Sequence, residues 1–242
     1  RHAAWARFKT PAAQLTTLHG RQHSSLSKKL VNLYGELLVA VCENVKSSSS
    51  RSLNIHPDQI EVIGNPFPSH LFQVSDSALK LKNTKQSEFK LALIGRSTGP
   101  KGARFEKLGK SFFRTWLINF PQLNIDLILP SLDGFSPVFQ EQLKILQLEF
   151  SKRFTVLSHI QNLQSQLIQF DLVIGSGRVA IESILSGTPI FALGEYCSHG
   201  VIDSKNIHTA IKTNFGDMGD QSLEIEFKES DVDQSIQAII RQ

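Results

Sequence analysis

Arg96 and Lys101 stand five positions apart in a glycine-bounded stretch, Gly95-Arg96-Ser97-Thr98-Gly99-Pro100-Lys101-Gly102. An apolar run precedes this stretch and a helical pattern follows it. Glycines let a backbone come close to a bulky anion. A helix that begins there presents unpaired N–H groups and the positive end of its dipole. A forked guanidinium and a compact ammonium add full charges, a set suited to a phosphate or diphosphate. No G-K-[ST] closes the stretch, so it is not a Walker loop. The plain alternative is a surface turn with incidental charges.

Two further loops have residue types that could do chemistry. In Gly175-Ser176-Gly177-Arg178, two glycines follow an apolar run, and Glu182 falls about one turn into the next helical pattern. A carboxylate there can accept hydrogen bonds from a ribose diol. It can equally be an acidic side chain stabilised by the helix dipole. The third loop, Gly194-Glu195-Tyr196-Cys197-Ser198-His199-Gly200, has glycines at both ends. His199 offers a general acid or a phosphate contact, or it is an ordinary surface histidine.

Such loops need a scaffold, and the chain from residue 89 onward supplies one. Strands are expected at Phe89–Ile94, Leu123–Leu129, Phe154–Leu157, Leu172–Ile174 and Pro189–Leu193. Helices are expected at Ala103–Asn119, Pro137–Phe150, Leu163–Phe170, Arg178–Ser186 and Ser230–Ile240. Alternation of this kind means βαβ units and a parallel sheet covered by helices on both faces. The three loops then follow strand carboxyl ends, where open α/β sheets bind ligands. Upstream, Ser24–Leu38 has amphipathic helical spacing, and Leu37 to Cys42 reads as a short strand-like run. Ser47 to Ser50 reads as a helix end or a loop. Glu61 to Pro68 reads as a strand end and a turn, because its prolines break a helix. The expected domains are residues 1–65, a linker at 66–88, and residues 89–242.

The composition excludes several classes. Hydrophobic residues make up 40% and charged residues 20%, enough to build a core and unlike a disordered chain. No apolar run approaches the ~18 residues of a membrane-spanning helix. The chain opens Arg1-His2-Ala3, without a signal-peptide pattern. Its 2 cysteines, Cys42 and Cys197, make no disulfide framework and suit a reducing, cytoplasmic compartment. The net charge of +4 divides into +10 over residues 1–110 and −6 over residues 111–242. A basic half points to phosphate, nucleic acid or an anionic membrane as partner. Nucleic acid is disfavoured, since the basic residues do not alternate with aromatics. Arg21, Lys28 and Lys29 near the Ser24–Leu38 stretch raise peripheral contact with the inner face of a membrane, against the plainer reading of a helix that packs its leucines. Nothing in the sequence signals an oligomeric state.

Taken in order, these blocks resemble the donor-binding domain of retaining, nucleotide-sugar-dependent glycosyltransferases of the GT-B fold, family 4. Gly95-Arg96 through Lys101-Gly102 is similar to the family's G-R-x-x-x-x-K-G. Glu182-Ser183 through Gly187-Thr188-Pro189-Ile190 is similar to its E-A-x-x-x-G-x-P-V. Val62-Ile63-Gly64-Asn65-Pro66 with Phe72, Val39-Ala40-Val41-Cys42-Glu43, and Thr17-Leu18-His19-Gly20 resemble further blocks. Asn214-Phe215-Gly216-Asp217 is similar to a stretch of some bacterial cell-wall members.

The resemblance implies an α/β fold of GT-B type, two Rossmann-like domains across a cleft. It implies transfer of a sugar from a UDP-sugar or GDP-sugar to an acceptor hydroxyl with retention, in envelope or surface polysaccharide synthesis. The acceptor would be a saccharide or lipid-linked. Arg96 and Lys101 would hold the diphosphate, with Gly95, Gly177 and Arg178 beside it. Glu182 would bind the ribose, and His19 would reach towards the sugar from the other domain. No cofactor and no metal are implied, and Asp231-Val232-Asp233 reads as helix N-terminal carboxylates rather than a metal site. Two departures stand out. Ile174 occupies the place where the family usually has a second glutamate, on the donor sugar. Only 65 residues precede Pro66, so the acceptor domain is expected to be partial and the chain a fragment. The alternatives are a non-catalytic nucleotide-sugar-binding subunit and a GT-B sugar-nucleotide epimerase.

Overall fold

The computed structural model describes residues 9–10, 12–20, 33–67, 88–158, 160, 162–219 and 228–241. Two parallel sheets organise them. The first contains β1 (Leu15–Leu18), β2 (Leu37–Ala40) and β3 (Ile60–Val62) in that order, with helix α1 (Glu43–Leu53) between β2 and β3. Its core is formed by Leu18, Leu38, Val45, Leu53 and Ile60.

The second sheet has the order β6-β5-β4-β7-β8-β9. Its strands are β4 (Phe89–Ile94), β5 (Leu123–Ile128), β6 (Phe154–Leu157), β7 (Leu172–Gly175), β8 (Ile190–Leu193) and β9 (Ser198–Val201). All pair in parallel except β9, an antiparallel edge strand on β8. The central strands are apolar on both faces because helices cover both. On one face Leu91, Leu93, Ile125 and Leu127 meet α2 (Gly99–Leu108), α3 (Arg114–Asn119), α4 (Pro137–Glu149) and α8 (Glu229–Ile240). On the other, Ala92, Ile94 and Val173 meet α5 (Leu163–Leu167), α6 (Arg178–Leu185) and α7 (Ile207–Lys212). A π-turn, Gly109–Phe113, joins α2 to α3 in one continuous rod.

The expected strands and helices from residue 89 onward are present, with shifts of a few residues at their ends. A few features are unexpected or stand open between two readings in the sequence. Ser47–Ser50 lie inside α1 rather than at a helix end. Val45, Ser49 and Leu53 form its buried stripe, and the middle rung is a serine, so the apolar spacing is hidden in the sequence. Leu37 and Leu38 belong to β2, which ends the amphipathic stretch before them. Residues 21–32, with Arg21, Lys28 and Lys29, and residues 68–87 of the expected linker lie outside the described residues. β9 and α7 carry no clear sequence pattern: one is a short polar edge strand and the other spans 6 residues. Among the described residues no helix is long and apolar enough to cross a membrane.

Candidate functional site

The strand order places a switch point between β4 and β7. From β4 the chain winds outward through β5 and β6, then returns to lay β7 on the other side of β4. Loops leaving β4 and β7 therefore diverge and open a crevice at the carboxyl edge, where such sheets bind ligands. The loop after β4 is Gly95–Thr98, and the loop after β7 is only Ser176-Gly177. The two glycine stretches singled out in the sequence are thus neighbours.

Lys101 sits in the first turn of α2 and reaches into this crevice. Its Nζ lies 3.1 Å from Asp217 Oδ2, and both side chains are only 13% exposed. Ser176 Oγ donates to Asp217 Oδ1 at 2.6 Å. Gly177, at the N-terminus of α6, has φ +59°, a conformation that strains any other residue. A Cβ there would stand 2.5 Å from Asp217 Oδ2. A buried carboxylate thus rests where an ammonium, a hydroxyl and a helix N-terminus converge.

Arg96 points towards the same region and pairs with Glu195 of the loop after β8. Arg104, one turn beyond Lys101 on α2, donates to the Gly194 carbonyl of that loop. Burial lowers the Arg104 pKa, and Cys197, Glu195 and Asp217 act to raise it. The loop after β8 and the segment 214–217 are one body. Tyr196 N donates to Gly216 O at 2.9 Å and Cys197 N to the same oxygen at 3.3 Å. Asn214, Phe215 and Gly216 take φ values of +50°, +57° and +89° in succession. Left-handed backbone at an asparagine and a phenylalanine costs about 1–3 kcal/mol each and is held by its surroundings. This strained bend is what delivers Asp217 to Lys101.

The other side of the segment touches the first sheet. Asn44 Nδ2, in the first turn of α1, donates to Met218 O at 2.9 Å. The Met218 side chain packs on the core of β1, β2 and α1, and Gly20 lies against its methyl. His19 is exposed at the carboxyl end of β1, next to this contact.

Other expected site residues are placed as follows. Glu182 is buried in α6, and its Oε1 accepts from Arg178 Nε at 2.8 Å and from Gln164 Nε2 at 3.3 Å. Arg178 is 63% exposed and its guanidinium covers the Phe67 ring. Ile174 is fully buried within β7 and packs in the core, so the place of the family's second glutamate is here a strand interior. Asp231 lies in the first turn of α8, while Asp233 accepts from Trp116 Nε1 at 2.6 Å. Among the described residues no group of three or more His, Cys, Asp and Glu is arranged to hold a metal ion.

His199 turns inward. Its Nε2 is 2.7 Å from Thr213 Oγ1 and 3.5 Å from Cys197 Sγ. Thr213 Oγ1 also lies 2.9 Å from Ala210 O, so it links the His199 ring to the end of α7. Thr213 Oγ1 also accepts from Gly216 N at 3.0 Å. His199 therefore braces the strained bend. Burial holds its pKa below the usual histidine value. The unfolded chain then binds the proton more readily, so stability is intact above about 6.5 and falls as pH drops below it. Melting temperatures at pH 7.5 and 5.5 check this: the wild-type loss on acidification should shrink in His199→Asn. Equal losses in both would show that His199 does not carry it.

Three site residues were not singled out for a role by sequence reasoning: Arg104, Ser176 and Asp217. Arg104 was detectable as the residue three positions after Lys101, on the same helix face. Asp217 approaches only through tertiary folding, 116 positions from its lysine.

With this geometry in view, comparison with solved structures places the fold. HepE from Anabaena, solved in complex with UDP, matches with a TM-score of 0.60 at 18% identity, over 99% of this chain and 75% of that one. A glycosyltransferase from Rickettsia africae matches at 0.57 and 20% identity, over 78% of this chain and 53% of that one. The UDP-GlcNAc 2-epimerase of Methanocaldococcus jannaschii, in complex with UDP-GlcNAc and UDP, matches at 0.50 and 12% identity, over 100% and 72%. The fold is α/β of the GT-B type, with Rossmann-like parallel sheets. No family model and no curated protein matches the chain.

Proposed function

We propose that this chain is a nucleotide-sugar-dependent glycosyltransferase that moves a sugar from a nucleoside-diphosphate donor to an acceptor hydroxyl. The observation that carries the reading is the convergence of Arg96, Lys101 and Arg104 with the N-terminus of α6 at the switch point of a GT-B-type fold. Charge builds up on the diphosphate as its bond to the sugar breaks. Fixed cations and amides aimed at that charge stabilise the transition state more than the ground state. The complexes of Anabaena HepE with UDP and with UDP-glucose support a uridine donor, and the sequence resemblance adds GDP-sugars. Retention, metal independence, and a role in cell-envelope or surface polysaccharide synthesis at the cytoplasmic face rest on that resemblance. In this reading Glu182 accepts the ribose hydroxyls after exchanging its Arg178 contact, and His19 approaches the sugar from the first sheet.

A second reading, a nucleotide-sugar-binding subunit without transferase activity, is favoured by one observation. The β7–α6 loop has only two residues, and Ile174 is core, so that loop brings no carboxylate to the donor sugar. Turnover separates the two. The protein is incubated with UDP-glucose, UDP-GlcNAc and GDP-mannose, with and without a chelator, and released nucleoside diphosphate is measured. Release from one donor that persists with chelator and is lost in Arg96→Ala/Lys101→Ala is the expected result. Saturable binding with no release would favour the binding subunit, and conversion of the sugar without release would favour an epimerase.

A further inference from the structure

Two of the three cations of the candidate site are already paired with carboxylates of the protein itself. Lys101 holds Asp217, and Arg96 holds Glu195. Both carboxylates belong to the hydrogen-bonded body formed by the loop after β8 and the segment 214–217. The surroundings of Asp217 are those of a bound phosphate: a lysine ammonium, a serine hydroxyl and a helix N-terminus next to a left-handed glycine. Yet the occupant is a side chain of the protein itself. A diphosphate and the Asp217 carboxylate cannot share Lys101 without close like-charge repulsion.

We propose that Asp217 is an internal stand-in for a donor phosphate, and that ligand must displace it to reach Lys101. This rests on the nucleoside-diphosphate reading above. The device reaches beyond the site, because the residue after Asp217 is the one that contacts the first sheet. Met218 O is held by Asn44, and its side chain fills the core of β1 and β2. The bend before Asp217 is strained and anchored to His199 through Thr213. Once the Lys101 contact is lost, the force holding residues 214–218 in that bend weakens, and so does their grip on the first sheet. Occupancy of the phosphate site is thereby coupled to the junction between the two sheets.

The test uses Asp217→Asn, which keeps the shape and the Ser176 contact while removing the competing charge. UDP, GDP and inorganic pyrophosphate are titrated into wild type and variant by calorimetry. The expected result is tighter binding of the diphosphates by the variant, by about tenfold, with nucleoside binding unchanged. The Lys101→Ala/Asp217→Asn double variant should bind diphosphates more weakly than Asp217→Asn alone, because the cation that both anions seek is gone. Glu195→Gln, at the rim, should give a smaller gain in the same direction, and it serves if Asp217→Asn does not fold. Hydrogen exchange adds a second readout: diphosphate should speed exchange of amides 214–218 in wild type. Weaker or unchanged diphosphate binding by both variants would overturn the proposal, since the carboxylates would then be ligand contacts or fixed structural pairs. If wild type and variants alike bind none of these diphosphates, the functional reading itself has failed, and the proposal fails with it.

Discussion

Lys101→Ala is expected to weaken nucleoside-diphosphate binding by tenfold to more than a hundredfold, while the corresponding nucleoside binds almost as before. The range follows from about 1.5–3 kcal/mol for a hydrogen bond to a charged group. Lys101 is 13% exposed, so its charge is poorly screened by water. The variant also strips Asp217 of its cation and leaves an uncompensated carboxylate in the same crevice, which adds repulsion against any phosphate. Arg96 should give a smaller effect, because its side chain is 55% exposed. Isothermal titration of wild type and both variants with a diphosphate and its nucleoside measures the difference. An equal loss of both ligands would point to a damaged fold rather than a lost phosphate contact.

Trp116→Ala is expected to cost about 3–5 kcal/mol of folding stability, the usual range for removing a buried aromatic side chain. Trp116 is fully buried on α3, stacked on Phe112 and tilted against Phe113. Its Nε1 also satisfies Asp233, which ties α8 to the sheet's helical layer. Truncation leaves a cavity and a partly buried carboxylate with one partner fewer. Denaturant unfolding monitored by circular dichroism should show the loss. Trp116→Phe, which keeps most of the volume, should recover much of it unless the Asp233 bond dominates.

Much of the second sheet was legible because its strands are continuous apolar runs and its helices repeat at regular spacing. Phe89–Ile94 and Phe154–Leu157 fall where the pattern puts them, since both faces of a covered parallel strand must be apolar. The site was legible in part for the same reason: once β4 and β7 are recognised, topology makes the loops after them neighbours. What spacing could not show was how the charges pair. Arg96 and Lys101 are found in sequence as free cations, but in the fold each meets a carboxylate about a hundred residues away. Glu182 likewise reads as an acid near a helix start, and burial against Arg178 and Gln164 follows only from packing. His199 looks like a loop residue able to reach a ligand, yet an antiparallel edge strand with little sequence signature turns it onto Thr213.

A nucleoside diphosphate is expected to bind in the crevice between the loops after β4 and β7. The most direct test is a titration panel of UDP, GDP, ADP and CMP against their nucleosides, using the shift in melting temperature and calorimetry on the full chain. A ligand at ~100 times its dissociation constant adds roughly 2.7 kcal/mol to folding stability, a shift readily seen. One nucleoside diphosphate should stabilise the protein, its nucleoside should do so far less, and Lys101→Ala should remove the difference. Stabilisation by no nucleotide, or by a nucleotide to the same degree in wild type and Lys101→Ala, would contradict that assignment of the crevice.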